Sequence, residues 1–220
     1  MVLDHDRDGW PDLAIANDTV RNFLFVNQHD GTFRELGVEA GFAFSESGST
    51  RGGMGIDAAD VDRDGRSEIA IGNFAREMAS FYRETASGRY VDDAMQVGIG
   101  LPTLPTLAWG TLFEDFDRDG WRDLLIANGH IEPEIASLRA FEHYEQPLQF
   151  FRNLGGAGGE VGSAAAGAPA PRFELFEDAA GSALETRLVG RSVAAADIDR
   201  DGDLDFVVTQ NGRSARLVRN

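Results

Sequence analysis

The stretch DFDRDGWRD at residues 115–123 is one of four copies of a nine-residue motif in this chain. The other copies are DHDRDGWPD at 4–12, DVDRDGRSE at 60–68 and DIDRDGDLD at 197–205. Every copy has aspartate at positions one, three and five, glycine at position six and an acid at position nine, and a short apolar run follows it. Successive copies begin 56, 55 and 82 residues apart, which indicates tandem structural repeats.

The residues between the motifs predict four short strands in each repeat. Small residues such as Gly55 precede a motif, and they suit a crowded inner position near a propeller axis. After the apolar run, a further strand-like segment ends at Asn27, Glu84, Asn153 and Asn220. An aromatic residue then opens another segment, at Phe33, Tyr90 and Phe173. The sequence therefore predicts an all-β fold, a β-propeller segment of about 3.5–4 four-stranded blades with the Asp-rich loop between the first and second strands.

We expect a single propeller region over residues 1–220. Its repeats cover approximately 1–52, 53–106 and 107–190, with a partial fourth repeat at 191–220. Repeat three is longer because it contains two insertions, at 129–147 and 155–171. The first predicts a short helix, because Pro133 can open it and Ile135, Leu138 and Phe141 fall on one side. The second is rich in Gly, Ala and Pro and predicts a surface loop.

Each motif predicts a calcium-binding loop. Three short carboxylates at positions one, three and five lie on one side of a tight turn, and glycine at position six takes the sharp bend. Hard oxygen ligands at this density favour calcium over metals that prefer softer ligands. The backbone carbonyl at position seven and the acid at position nine complete the set. The predicted ligands of about four Ca²⁺ sites are Asp4, Asp6, Asp8, Trp10, Asp12, Asp60, Asp62, Asp64, Arg66, Glu68, Asp115, Asp117, Asp119, Trp121, Asp123, Asp197, Asp199, Asp201, Asp203 and Asp205.

Two other interpretations of the motif are weaker. An EF-hand loop needs glutamate at position twelve and flanking helices, whereas this position holds Ile15, Ile71, Ile126 and Val208 within strand-like runs. A simple Asp-Gly turn on an acidic surface accounts for one copy but poorly for four copies in the same register.

The net charge of −17 comes from the motifs. Sixteen of the 37 acidic residues stand at motif positions one, three, five and nine, and the other 21 nearly balance the 20 Lys and Arg. Such acidity opposes nucleic-acid binding, which needs basic residues against phosphate. There is no cysteine for thiolate chemistry and no apolar run long enough for a membrane span. The first residues show no signal peptide, so we expect none in this chain.

The motifs resemble FG-GAP/VCBS repeats, and three further segments narrow the resemblance to the cartilage-acidic-protein-like group, which carries an ASPIC/UnbV domain. These segments are Gly53–Asp57, Ile126–Ile131 and Gln149–Leu154. The resemblance implies a β-propeller, calcium needed for structure, and an extracellular, cell-surface or periplasmic location. Adhesion or ligand binding is implied only loosely, since a fold does not fix a function.

The residues offer little to build an enzyme from. No G-x-S-x-G elbow is present, and His130 and His143, both in the first insertion, are expected on the solvated surface. Trp10, Trp109 and Trp121 are expected to pack in the core or the loops rather than stack on a sugar. We therefore expect a non-enzymatic, calcium-stabilised extracellular module that binds a protein or carbohydrate; the alternative is a catalytic or non-catalytic segment of a larger secreted enzyme. Further propeller blades or self-association would cover its exposed edges.

Overall fold

The computed structural model describes residues 1–155, 171–176 and 184–220, which form four antiparallel sheets that we call blades one to four. Blade one consists of β1 (Val2–Leu3), β2 (Asp12–Ile15), β3 (Phe23–Asn27) and β4 (Phe33–Glu35). Blade two consists of β5 (Gly53–Ala59), β6 (Glu68–Asn73), β7 (Ser80–Glu84) and β8 (Tyr90–Asp92). Blade three consists of β9 (Ala108–Glu114), β10 (Asp123–Asn128), β11 (Gln149–Asn153) and β12 (Phe173–Leu175). Within the described ranges blade four has three strands, β13 (Gly190–Ala196), β14 (Asp205–Gln210) and β15 (Arg213–Val218).

The strands follow one another within every blade, so each blade is an up-and-down sheet. All four motifs lie between the first and second strands of their blades, and the aromatic residues Phe33, Tyr90 and Phe173 each open the fourth strand. The prediction of an all-β, propeller-like chain with Asp-rich loops at this place is therefore confirmed.

In blades two and three, the second strand has an apolar centre because both of its faces are covered. In β10, Leu124 and Ile126 pack in a core with Phe81 of blade two. Leu125, between them, points the other way and packs in a core with Phe206 of blade four. Side chains alternate between the faces of a strand, so a strand between two blades needs apolar residues at every position. Three such inter-blade cores join the four blades in chain order.

Glycine allows the first strands of neighbouring blades to touch. A Cβ atom built on Gly55 in β5 would lie 1.7 Å from the carbonyl oxygen of Trp109 in β9. A Cβ atom on Gly110 would lie 2.8 Å from the backbone nitrogen of Val193 in β13. No side chain fits in these spaces, which explains the small residues that precede each motif.

Among the described residues, blades one and four each have one face that no neighbouring blade covers. On blade one this face exposes Ile15 and Phe33, with 38% and 44% of their surface accessible. Their counterparts in blade two, Ile71 and Tyr90, are 1% and 3% accessible because blade one covers them. On blade four the exposed face carries Ile198, at motif position two, with 52% of its surface accessible.

In the described part of the chain, two short helices lie outside the blades, α1 (Gly100–Thr103) and α2 (Ile135–Leu138). The sequence predicted a helix at the place of α2, within the 129–147 insertion. Only Ile135 of its predicted apolar side is buried, since Leu138 and Phe141 are 73% and 94% accessible. The predicted insertion at 155–171 lies outside the described residues except at its ends. Neither helix is long and apolar enough to cross a membrane.

Candidate metal centres

The four motifs fold into the same loop. The first aspartate accepts the backbone N–H of the glycine at position six in every copy, at 2.9–3.1 Å. In the second loop, for example, Asp60 accepts the N–H groups of Asp64 and Gly65, at 3.1 and 3.0 Å. The fifth-position aspartate accepts the N–H of position seven, at 2.8–2.9 Å in all four loops. These local hydrogen bonds hold the carboxylates of positions one and five beside the turn.

The loops pass through the left-handed backbone region twice. At position six, φ lies between +81° and +96°, which glycine adopts without strain. At position four, φ lies between +56° and +65°, and all four loops place arginine there, at Arg7, Arg63, Arg118 and Arg200. A non-glycine residue in this region costs about 1 kcal/mol or more. Sequence reasoning passed over this position, although the recurring Arg in D-R-D-G was a visible signal.

Each loop brings three carboxylate oxygens within 4.8 Å of one another. In loops one and four these come from positions one, three and five, and in loops two and three from positions one, three and nine. The four groups are Asp4, Asp6 and Asp8; Asp60, Asp62 and Glu68; Asp115, Asp117 and Asp123; and Asp197, Asp199 and Asp201. The predicted ligands Asp12, Asp64, Asp119 and Asp205 are not members of these triads.

The ninth-position acids are all buried, and those of blades one, three and four tie the loop to the end of the third strand of the same blade. Both oxygens of Asp123 accept backbone N–H groups, from Phe116 at 3.2 Å and from Asn153 at 2.9 Å. Asp12 and Asp205 make the same two bonds in blades one and four. Glu68 accepts only one, from Val61 at 3.1 Å. The acid at this position therefore has a structural task that the motif alone did not reveal.

Several of the acids in the loops are buried beside other carboxylates, and both their burial and the neighbouring negative charge raise their pKa. Burial, followed by the charge of Asp62, raises the pKa of Glu68 to about 9. Burial raises the pKa of Asp123 to about 7, and burial with the charge of Asp64 raises the pKa of Asp62 to about 6. Among the described groups, Glu68 Oε1 and Asp115 Oδ1 are buried without a hydrogen-bond partner. A divalent cation held by three carboxylate oxygens would offset these costs, so the residues fit such an ion.

The seventh-position residues were predicted to offer backbone carbonyls, and these carbonyls stay predicted ligands. Their side chains take different roles. Trp10 is 48% accessible and stacks on His29, with ring centroids 5.0 Å apart. Trp121 lies under the guanidinium of Arg63, 4.6 Å from the ring centroid. Arg66 and Asp203 form ion pairs, with Glu84 at 2.9 Å and with Arg118 at 2.7 Å.

In loops one to three, the fourth-position arginine connects the loop to the next blade. Arg7 pairs with Glu84 at the end of β7, at 3.0 Å. Arg63 donates to the carbonyl of Gly120 in loop three. Arg118 donates to the carbonyl of Gly202 in loop four, at 3.3 Å. These arginines, which occupy strained backbone positions, thus bond loop one to the third strand of blade two, loop two to loop three, and loop three to loop four.

Outside the loops, the structure corrects the expectation for His130 and agrees with the expectation for Trp109. His130 was expected on the solvated surface but is 4% accessible, because it packs beside Phe74 and Glu142. Its Nδ1 accepts the backbone N–H of Glu132, and burial lowers its pKa. Trp109 is a packing residue, whose Nε1 donates to the carbonyl of Gly129 at 2.8 Å.

Comparison with known proteins identifies the repeats. A family model described as FG-GAP-like repeat matches residues 4–71. Cartilage acidic protein 1 of Homo sapiens is 25% identical over 207 residues, which are 93% of this chain and 27% of that protein. The Mus musculus protein is 26% identical over the same shares, and the Xenopus tropicalis protein is 30% identical over 110 residues, 49% of this chain and 16% of the relative. This chain therefore spans at most 27% of the length of these relatives. The resemblance noted in the motifs is confirmed: residues 4–71 match an FG-GAP-like repeat, and the chain is similar to cartilage acidic protein 1 over most of its length.

Proposed function

We propose that this chain is a calcium-binding extracellular β-propeller module that binds a protein or a glycan, with calcium serving mainly to stabilise the fold. One observation carries the calcium proposal. Each of the four motifs, separated by 55 residues or more in sequence, places three carboxylate oxygens within 4.8 Å of one another. Three carboxylate oxygens at the same place in every blade support a repeated site for one kind of ion.

Donor chemistry supports calcium as that ion. The triads consist of carboxylate oxygens, which are hard ligands, and the described chain has no cysteine to attract softer metals. Calcium accepts six to eight oxygens in flexible arrangements, so a seventh-position carbonyl and water can complete each shell. When bound, the ion would neutralise carboxylates that burial now holds at raised pKa values.

The contacts around the loops support a structural role for the ion. The loop joins the first and second strands of its blade, and in blades one, three and four its ninth-position acid bonds the end of the third strand. In loops one to three the fourth-position arginine reaches the next blade. An ion that fixes the loop would therefore fix four neighbouring parts of the fold together.

The proposed location and partners rest on the relatives and on the surface. The printed name of the relatives associates those proteins with cartilage, and an extracellular, cell-surface or periplasmic place is proposed here by similarity. Trp10 offers an exposed aromatic face next to a loop, a feature that supports stacking on a sugar ring. A non-enzymatic role agrees with the relatives, whose printed name describes no reaction.

Thermal melts with calcium and with EGTA test the structural role. We expect a higher melting temperature with calcium, and isothermal titration calorimetry should count about four ions per chain. Melting curves that superimpose would refute the proposal. Asp199→Ala should reduce the stoichiometry by one. For the glycan partner, a glycan-array signal lost in Trp10→Ala but kept in Trp109→Phe would support binding through the exposed ring.

A further inference from the structure

The acid at motif position nine is glutamate in loop two and aspartate in the other three loops. Each of these aspartates, Asp12, Asp123 and Asp205, accepts one backbone N–H from motif position two and another from the asparagine at the end of the third strand. The two bonds use both oxygens of the carboxylate. In loops one, three and four, an ion would therefore share the ninth-position acid with the backbone.

Glu68 in loop two makes only one of these two bonds. Its Oε2 accepts the N–H of Val61 at 3.1 Å, whereas its Oε1 is buried and has no hydrogen-bond partner among the described residues. At the end of β7, blade two has Glu84 where the other blades have asparagine. Glu84 is held instead by Arg7 and Arg66, at 3.0 and 2.9 Å. A buried oxygen without a partner is unfavourable unless a ligand binds it.

Glu68 belongs to the carboxylate triad of loop two, so its unpaired oxygen lies beside the proposed ion. One oxygen of Glu68 is within 4.8 Å of an oxygen of Asp60 and of Asp62. Because Oε2 already accepts a backbone N–H, Oε1 is the oxygen that is free for an ion. Glu68 is 0% accessible, whereas the triads of loops one and four consist of exposed residues. Loop two thus holds its charge where water screens it less.

Arginine side chains further distinguish loop two from loop three. Loop three also has an unpartnered buried oxygen, Asp115 Oδ1, but its position-three acid, Asp117, is paired with Arg152 at 2.6 Å. The arginine of blade four makes the corresponding pair at 3.3 Å. In blade two, Arg83 holds the place of Arg152 but pairs with Asp93 at 2.6 Å. Among the described groups, the position-three acid of loop two has no ion pair, so no guanidinium competes there with an ion.

We propose that Glu68 is a direct ligand in loop two and makes this loop the tightest of the four calcium sites, so that it fills before the others. The inference rests on the proposed calcium-binding function and adds an order of filling to it. Calcium affinity depends on the charge and the rigidity of the ligand set. Loop two combines a buried carboxylate oxygen free of the backbone with a position-three acid free of arginine.

Calcium titration calorimetry on the 220-residue chain tests this order. We expect one ion to bind at least about tenfold more tightly than the others. Glu68→Gln should abolish the tight ion and leave the weaker ones, because the amide keeps the shape of the side chain but removes its charge. Glu68→Asp, which restores the acid of the other three motifs, should also merge loop two with the weaker sites. Glu39→Gln, the same carboxylate-to-amide change at an exposed acid outside the motifs, should leave the tight ion unchanged.

Melting curves separate a lost ligand from a damaged fold. In EGTA, the Glu68→Gln chain should melt no lower than the parent chain, because a neutral amide replaces a buried carboxylate that has no positive partner. With calcium, the parent chain should melt higher than the variant, since the variant lacks the stabilisation from the tight ion.

Hydrogen exchange locates the first ion independently of these variants. As calcium is raised from low concentration, amide exchange should slow first at Asp64 and Gly65, whose N–H groups are bonded to Asp60. Four ions of equal affinity, a tight ion that survives Glu68→Gln, or first protection in another loop would overturn this inference and leave calcium binding standing. A chain that binds no calcium at millimolar concentrations would overturn the proposed function and this inference together.

Discussion

Asn153→Ala should be among the most destabilising polar substitutions in this chain, because one buried amide joins two blades. Its Nδ2 donates to the carbonyl of Val61 in loop two at 2.9 Å and to the carbonyl of Arg122 in loop three at 3.0 Å. Its Oδ1 accepts the N–H of Gly155 at 3.0 Å. Asn153 is 0% accessible, so water cannot replace these bonds without opening the fold.

The expected magnitude follows from these three hydrogen bonds. A buried polar group that loses its partner costs about 1–3 kcal/mol, and some relaxation is expected, so Asn153→Ala should cost about 3–5 kcal/mol. Asn27 occupies the same position in blade one, and the described residues include no blade on that side of it. Its Nδ2 donates only within its own blade, to Pro11 at 3.2 Å, and its Oδ1 accepts the N–H of His29. Asn27→Ala should therefore cost about 1 kcal/mol, since water can serve these groups.

Urea unfolding followed by tryptophan fluorescence, in calcium-containing buffer, measures both variants. Asn153→Asp is a third test, because it places an oxygen against two carbonyl oxygens without a change in shape. It should be at least as destabilising as the alanine variant. Neither change touches a predicted ligand, so the calcium stoichiometry should hold in both. The reasoning fails if Asn153→Ala and Asn27→Ala unfold within about 1 kcal/mol of each other.

Three further perturbations test other parts of the fold. Gly55→Ala should cost more than about 2 kcal/mol in urea unfolding because its Cβ collides with a neighbouring strand, whereas Gly212→Ala, in open space at φ +67°, should cost about 1 kcal/mol. In EGTA, the free energy of unfolding should fall as the pH rises from about 4 towards 9. The folded-state pKa of Glu68, about 9, lies above its ordinary value, so the folded chain holds a proton that the unfolded chain releases. Calcium should flatten this pH profile, and a flat profile without calcium would contradict the burial of the acid. Arg63→Ala should lower the free energy of unfolding by about 1–2 kcal/mol more than Arg200→Ala does. Arg200→Ala is the control, because it relieves the same backbone strain at a loop with no following blade among the described residues. Equal losses of stability would show that the cross-blade bond contributes nothing.

Local chemistry in the sequence was enough to predict the blades. The aromatic residues that open β4, β8 and β12 were visible as a repeated pattern, as were the small residues of the first strands. What the pattern could not show was which face of a strand meets which neighbour. Phe33 and Tyr90 are equivalent in sequence, yet one is exposed and the other buried, because burial depends on a second blade far along the chain.

The loops illustrate the same limit at the level of single atoms. Spacing alone brought out the acids at positions one, three, five and nine. The spacing could not show that both carboxylate oxygens of Asp123 accept backbone N–H groups, since one donor, Asn153, is 30 residues away. Nor could it show that His130 is buried, because Phe74, which packs beside it, belongs to another blade.

The contacts between blades are directional, since each blade offers one kind of face to its predecessor and another to its successor. Leu124 and Ile126 pack against the preceding blade, and Leu125 packs against the following blade. A duplicated blade would carry both faces with it and would match its neighbours on both sides without any new substitution. Repeats of this type can therefore be gained or lost by unequal recombination while every remaining interface stays intact, so the number of blades is free to change faster than the surface that joins them.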